Sequence, residues 1–201
     1  MKAEILELVK PTILTRGFAK LTSDEIARIA GVSKRTLYRY FRSKEEIVLE
    51  ITADLRTSIQ AMFDAELNDR SREPLDRLRR IVEQMAVTVN TLAPQFLLDI
   101  EKQMPLEFKK IVAFREARLR TLAQLLHEGQ QTGSVRKDLD PPLSIEILLA
   151  AVNGVLRPSF LASIRHDFKS SFEALFDQFL YGIVLRPQGL RVAGRSGLTS
   201  G

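Results

Sequence analysis

The sequence predicts an all-α fold. Apolar residues recur at three- and four-residue spacing along almost the whole chain. No run of β-branched residues alternates between turn signals as a half-buried strand requires, and helix start and stop residues punctuate the pattern throughout. The 201 residues are 45% hydrophobic and 27% charged, a globular composition with enough apolar material for a core.

The first helix is expected over 4–16, with Ile5, Leu6, Val9, Ile13 and Leu14 on its inner face and Gly17 as terminator. Pro11 lies inside it. Proline has no N–H and crowds the carbonyl four residues back, so a kink at Pro11, or a helix that effectively begins there, is expected. A second helix, 22–30, opens on the capping box Thr22-Ser23-Asp24-Glu25 and ends at Gly31. A third, 33–41, is capped by Ser33. A fourth, 44–67, follows Ser43 in a second capping box with Glu46 and carries Ile47, Ile51, Leu55, Ile59, Met62 and Phe63. Beyond it, segment 74–92 holds Leu75, Leu78, Val82 and Met85 and is broken at Pro94. A short piece covers 95–102. Segment 105–128 carries Phe108, Ile111, Val112, Leu119, Leu122 and Leu126 and is expected to stop near Gly129. A turn-rich connection leads to 143–157, with Ile145, Leu148, Leu149, Val152 and Leu156 in one stripe, before Pro158. The last helix, 169–185, holds Phe172, Leu175, Phe176, Phe179, Leu180 and Ile183. The Gly- and Arg-containing stretch 186–201 reads as a flexible basic tail.

Composition narrows the chemistry. There is no Cys and there are two His, so disulfides, thiolate metal sites and Cys nucleophiles are excluded, and little remains for a His-rich metal site or a Ser-His-Asp triad. Neither an enzyme nor a bound cofactor or metal is expected. No apolar run approaches the roughly 18 residues of a membrane-spanning helix, and the N-terminus does not read as a signal peptide. A cytoplasmic protein is expected.

The net charge of +5 is unevenly placed. Residues 1–45 carry 10 bases against 5 acids, whereas 46–201 carry 20 of each. Between Ser33 and Lys44 stand Lys34, Arg35, Arg39, Arg42 and Lys44 with no acid. A local basic patch on a neutral body is the electrostatic footprint expected for phosphate.

Segment 22–41 reads as helix, three-residue turn with Gly31, helix. Ile26, Ala30, Val32, Leu37 and Phe41 would pack the two helices, leaving Arg35, Tyr38, Arg39 and Arg42 outward, as suits a helix lying in the major groove. Gly17-Phe18, Thr22, Ile26-Ala27, Ala30-Gly31-Val32-Ser33, Thr36-Leu37-Tyr38-Arg39-Tyr40-Phe41 and Ser43-Lys44-Glu45 resemble the DNA-binding domain of the TetR-type transcriptional repressors over roughly residues 4–50. Gly129, Gly133, Arg136 and Asp138-Leu139-Asp140-Pro141 resemble the turn before the last two helices of many members.

The resemblance implies a helix-turn-helix domain over 1–50 (motif 22–41) and a helical ligand-sensing and dimerisation domain over 51–185. It implies a homodimer that binds a palindromic operator on double-stranded DNA and is released by a small-molecule inducer. A ligand-independent architectural protein, or an activator on the same scaffold, is the alternative. Lys34, Arg35 and Thr36 would open the recognition helix, with Arg35 on a guanine. Tyr38 and Tyr40 would hold phosphates, Lys44 would anchor one, and Thr22 and Ser23 would add a contact. Ser33 and Arg39 complete the expected set, Ser33 chiefly as a cap.

In the C-terminal block the stripes of the last two helices are interface candidates, with Ala150 and Gly154 forming a small opposite face. Arg115 falls where the 105–128 stripe calls for an apolar residue. A charge there must be paired, snorkel or face a cavity. It is expected to pair with Asp99 or Glu101, or to line a sensor pocket and meet an acidic or polar ligand group. Asn153, Gln84 and Thr88 are weaker ligand candidates.

Overall fold

The computed structural model describes residues 1–155, 157, 160 and 168–184. Among these it forms helices α1 (Lys2–Arg16), α2 (Ser23–Ile29), α3 (Lys34–Tyr40), α4 (Lys44–Asn68), α5 (Pro74–Asn90), α6 (Pro94–Gln103), α7 (Pro105–Thr132), α8 (Pro141–Val155) and α9 (Phe168–Ile183). The sole extended pairing among the described residues is an isolated antiparallel bridge between Val135 and Val184. No helix among them is long and apolar enough to cross a membrane. Leu156, Pro158 and the expected tail 186–201 lie outside the described residues.

Local chemistry sets the helix ends. Thr22 and Glu25 form the complete capping box at the start of α2. Gly31 takes φ +65°, the left-handed turn that lets α3 double back. Ser33 accepts from the Thr36 amide at 3.0 Å and Ser43 from the Glu46 amide at 3.2 Å. Glu46 departs from the expected second box: its Oε2 accepts from the Arg42 amide at 2.6 Å, one residue before the cap. Helices α6 and α7 each begin on a proline, where the missing N–H costs nothing.

Two expectations about helix bounds need correction. Helix α1 runs unbroken from Lys2 through Pro11 to Arg16. It does not begin at Pro11, because Pro11 sits on the exposed side while Ile5, Val9, Ile13 and Leu14 hold the helix by its buried side. Helix α7 does not end near Gly129 but continues to Thr132 and is closed by Gly133. Gly129 serves a different purpose: a Cβ there would lie 2.6 Å from Val135 Cγ2, so its bare backbone lets the returning chain pack on the helix.

The buried apolar residues fall into two clusters. The first joins α1, α2, α3 and the start of α4 through Ile5, Val9, Ile13, Phe18, Ile26, Leu37, Phe41, Ile47 and Ile51, and also takes in Phe96 and Ile100 of α6. The second gathers Phe63, Leu78, Ile81, Leu122, Leu126, Ile145, Leu148, Leu149, Val152, Phe172 and Phe176 from α4, α5, α7, α8 and α9. Helix α4 belongs to both, and no break occurs near residue 50. At about 1.5 Å per residue, α7 is roughly 42 Å long; Phe108 and Ile111 at its start lean on the first cluster, and Leu119 to Leu126 lie in the second.

A buried arginine fastens the far end of α4. Arg77 is 1% exposed. Its Nε donates to the Glu66 carbonyl at 2.8 Å, its Nη2 to the Leu67 carbonyl and its Nη1 to Glu128 Oε2 at 2.6 Å. These carbonyls are among those a helix C-terminus leaves unpaired. Burial pushes the Glu128 carboxyl up, but hydrogen bonds from Gln124, Arg70 and Arg77 outweigh it and hold the group at about 2. A carboxyl whose folded value lies below its unfolded one contributes stability above about pH 4.5, lost as pH falls toward 2. Glu128→Gln is therefore expected to be less stable than wild type at neutral pH, with the difference shrinking as pH drops below about 4.5. Urea unfolding across that range checks it.

Candidate nucleic-acid interface and ligand chamber

Helix α3 has an inner and an outer side. Leu37 is buried in the head cluster and Tyr40 packs against it, whereas Lys34, Arg35, Tyr38 and Arg39 are exposed. Arg35 and Arg39 make no ion pair or side-chain hydrogen bond among the described residues, so both guanidinium groups are open to an external acceptor. Tyr38 OH lies 2.8 Å from Ser23 Oγ, which joins the two helices of the motif at their outer edge. Lys34 Nζ reaches Asp24 Oδ2 at 2.9 Å, and this contact raises its pKa. Thr36 is held by Ser33, Oγ1 to Oγ at 2.9 Å. Thr22 is occupied by its capping box.

Lys44 is placed less openly. Its Nζ donates to the carbonyls of Ala19 and Leu21 at 3.1 and 3.2 Å and stands 5.8 Å from the centre of the Phe18 ring. Two of its three N–H groups thus hold the α1–α2 connection.

The same connection is gripped from the other side by α6. Asp99, 4% exposed, accepts on Oδ2 from the amides of Phe18 (2.7 Å) and Ala19 (2.8 Å), and on Oδ1 from Gln95 Nε2 at 2.5 Å. The Ala93 amide donates to the Leu14 carbonyl at 2.8 Å. Gly17, at φ +76°, lies so close that a Cβ would collide with Asp99 Oδ2 and come within 2.9 Å of Gln95 Cγ. Sequence periodicity did not single out this junction. The one available signal was an Asp amid the apolar residues Phe96, Leu97, Leu98 and Ile100.

Behind α6 lies a partly open chamber of about 130 Å³. A single water needs roughly 10–15 Å³ by the same measure, so the space suits an organic molecule. Its walls are Leu55, Ile59 and Phe63 of α4, Met85 of α5, Phe96 and Leu97 of α6, Phe114 and Leu119 of α7, and Phe172 and Phe176 of α9. The polar lining is Thr52, Arg56, Thr88, Arg115 and Arg118. A second hollow at the α4–α5 seam, edged by Ser58, Met62, Gln84 and Val87, shares Leu55, Ile59 and Thr88 with it.

Arg115 does not pair with Asp99 or Glu101. Asp99 is taken by the head, and Glu101 is exposed. Arg115 Nη2 instead donates to Asn153 Oδ1 at 2.6 Å, and Asn153 Nδ2 donates to Glu116 Oε1 at 3.2 Å. The structure thus brings Arg115 and Thr88 to the chamber wall and Asn153 directly behind it. Gln84 lies at the side hollow, its Nε2 on Glu66 Oε1 at 3.0 Å. Sequence reasoning missed Arg118 and Arg56. Glu107, 3% exposed, fastens Arg56 and accepts from Thr52 Oγ1 at 2.8 Å. Burial raises the Glu107 carboxyl, but the Arg56 and Thr52 hydrogen bonds lower it further, and it stays charged.

Residues 12–51 match the family described as "Bacterial regulatory proteins, tetR family". The head of the chain thus resembles the DNA-binding part of TetR-type transcriptional regulators. Over 183 residues it is 25% identical to the HTH-type transcriptional repressor DhaR of Mycobacterium sp. (strain GP1), covering 90% of this chain and 88% of that one. Two solved structures share the fold. The TetR family regulator PfmR of Thermus thermophilus has TM-score 0.62 at 24% identity, over 88% of this chain and 97% of that one. Reduced NemR of E. coli has TM-score 0.68 at 19% identity, over 94% and 98%. The TetR-type fold thus extends over both clusters, well beyond the matched head.

Removing the Asp99 carboxylate orphans two amides, at about 1–3 kcal/mol each when buried. Asp99→Ala is expected to lower stability by about 2–4 kcal/mol. Asp99→Asn, which keeps an acceptor oxygen, is expected to lose clearly less. Chemical unfolding of the two variants beside wild type checks the order.

Proposed function

We propose that this regulator is a repressor that binds a palindromic operator as a homodimer and is released when a small molecule enters the chamber. The observation that carries the proposal is the outer side of α3, where Lys34, Arg35, Tyr38 and Arg39 stand exposed with Ser23 alongside and no acid on the helix. In this reading residues 1–50 are the DNA-binding domain and 51–185 sense ligand and dimerise. The protein works in the cytoplasm, on the nucleoid when bound to DNA. The relatives named as repressors support the sign of regulation.

The residues take separate parts. Arg35, with no partner among the described residues, reads a guanine two-pronged. Lys34 leaves Asp24 for the DNA, and Thr36 borders the same bases. Tyr38, Ser23 and Arg39 meet phosphates, and Thr22, held in its capping box, borders them. Lys44 holds the α1–α2 connection and offers its remaining N–H to a phosphate. Tyr40 and Ser33 chiefly shape the helix, Tyr40 from the core side and Ser33 as its cap.

The dimer surface differs from the expected stripes. Ile145, Leu148, Leu149 and Val152 of α8, and Phe172, Phe176 and Ile183 of α9, are buried in the protomer's own core and are not available to a second copy. The outer side of α8 is: Leu143 and Ile147 are 57% and 62% exposed, Ala150 is exposed, and a Cβ on Gly154 would meet nothing within 4 Å. These positions share one helix face, and Tyr181 of α9 is 77% exposed. Two copies joined here present two α3 helices to half-sites about 34–36 Å apart.

In vitro selection from random DNA is expected to return an inverted repeat with that spacing. Half-sites without symmetry would overturn the dimeric reading. On the selected site, Arg35→Ala is expected to relax preference at one base pair by roughly 10- to 100-fold, the worth of a bidentate contact. Ile147→Lys is expected to shift the protein toward monomer in sedimentation and weaken operator binding with it.

A further inference from the structure

The chamber's charges do not balance. Three arginines line it. Arg56 is neutralised by the buried Glu107. Among the described residues Arg118 has only Asp64 as an ion-pair partner, at 4.0 Å and half-exposed, and it lies 5.8 Å from the centre of the Phe114 ring. Arg115 has no carboxylate in ion-pair contact among the described residues, and its one partner is the neutral amide of Asn153. The Nε atoms of Arg115 and Arg118 are both buried and have no hydrogen-bond partner among the described residues. The two residues are three apart on α7 and so share one face.

An unpaired guanidinium in an apolar wall is costly. Burial pulls Arg115 below its ordinary value, and Glu116 opposes this only in part. Glu116 itself is engaged by Asn153 and stands 3.7 Å from Arg120. Two like charges on one helical face add to the cost. A single anionic group set against Arg115 and Arg118 removes both penalties, and the remaining lining, apolar apart from Thr52, Thr88 and the paired Arg56, suits a hydrocarbon body.

We propose that the effector is an amphiphilic monoanion, a hydrocarbon body bearing one carboxylate, whose carboxylate is bound by Arg115 with Arg118 beside it and whose body lies against Phe96, Leu97 and Phe172. The inference rests on the chamber being the effector site. One unneutralised guanidinium and one loosely paired one match a single negative charge. A doubly charged phosphate monoester would leave charge uncompensated among apolar walls. Asn153 orients Arg115 and is a positioning residue.

Three eight-carbon probes of matched shape test this: octanoate, octanol and octylammonium. Calorimetry gives their affinities for the intact protein, and anisotropy of the selected operator reports release. Octanoate is expected to bind at least roughly tenfold tighter than octanol, as a charge-assisted hydrogen bond warrants, and octylammonium weakest. In Arg115→Met the octanoate-to-octanol ratio is expected to fall to about one, while Arg115→Lys keeps a preference for the anion. The ratio is internal to each variant, so a change in overall stability does not imitate it. Octanol binding as tightly as octanoate, octylammonium binding best, or a ratio unchanged in Arg115→Met would each overturn the monoanion. Release of operator by neutral octanol would leave ligand release standing while removing the charge requirement. If no probe binds while operator binding is intact, the chamber is not the effector site and both readings fall.

Discussion

The structure hinges on one carboxylate. Asp99 reaches out of the helical body and takes the two amides that follow Gly17, the point where α1 gives way to the helix-turn-helix. Buried backbone amides must find acceptors, and here the acceptor is lent by a helix some eighty residues away. Lys44 completes the clamp from the opposite side by donating to the carbonyls of Ala19 and Leu21. The short connection is therefore satisfied by side chains from α6 and α4, and its shape follows theirs. Gly17 is the residue that allows so close an approach, because any Cβ would occupy the space of the carboxylate.

This clamp gives the chamber a mechanical address. Phe96 of α6 belongs to the core of the DNA-binding head and also walls the chamber, one turn from Asp99. Anything that moves α6 to make room for a guest moves the carboxylate that holds Phe18 and Ala19. Helix α4 runs from its Ser43 cap beside α3 to the other side of the chamber, where Arg77 fixes its far end. With that end tied to α5 and α7, displacement of α4 is free to appear at the head. Operator affinity changes about a hundredfold for a coupling of only about 2.7 kcal/mol, comparable to losing a few hydrogen bonds at such a junction.

Much of this was legible in residue order. Thr22, Ser33 and Ser43 announced their helices because capping is chemistry between near neighbours. Leu37 and the exposed Arg35, Tyr38 and Arg39 followed from helical period. The chamber was legible only as an anomaly: Arg115 broke an apolar stripe, which said that something must answer its charge without saying what. The expected partners, Asp99 and Glu101, were near in sequence and wrong, since Asp99 had a stronger obligation to two buried amides. Arg118 was passed over because an arginine at the edge of a stripe looks like a surface residue. The α8 and α9 stripes were offered to a second copy, but the protomer's own core consumed them.

The sequence by itself determined the helical class, the helix-turn-helix with its capped ends, and the concentration of positive charge on the first 45 residues. These depend on interactions between near neighbours in the chain, or on composition alone. Tertiary structure alone decided that α6 joins the head, that Asp99 and Lys44 clamp one loop, that Arg56 is neutralised while Arg115 is not, and which side of α8 remains outside. Each of those depends on pairing between groups tens of residues apart, where burial sets the energy and only packing decides which partner is within reach.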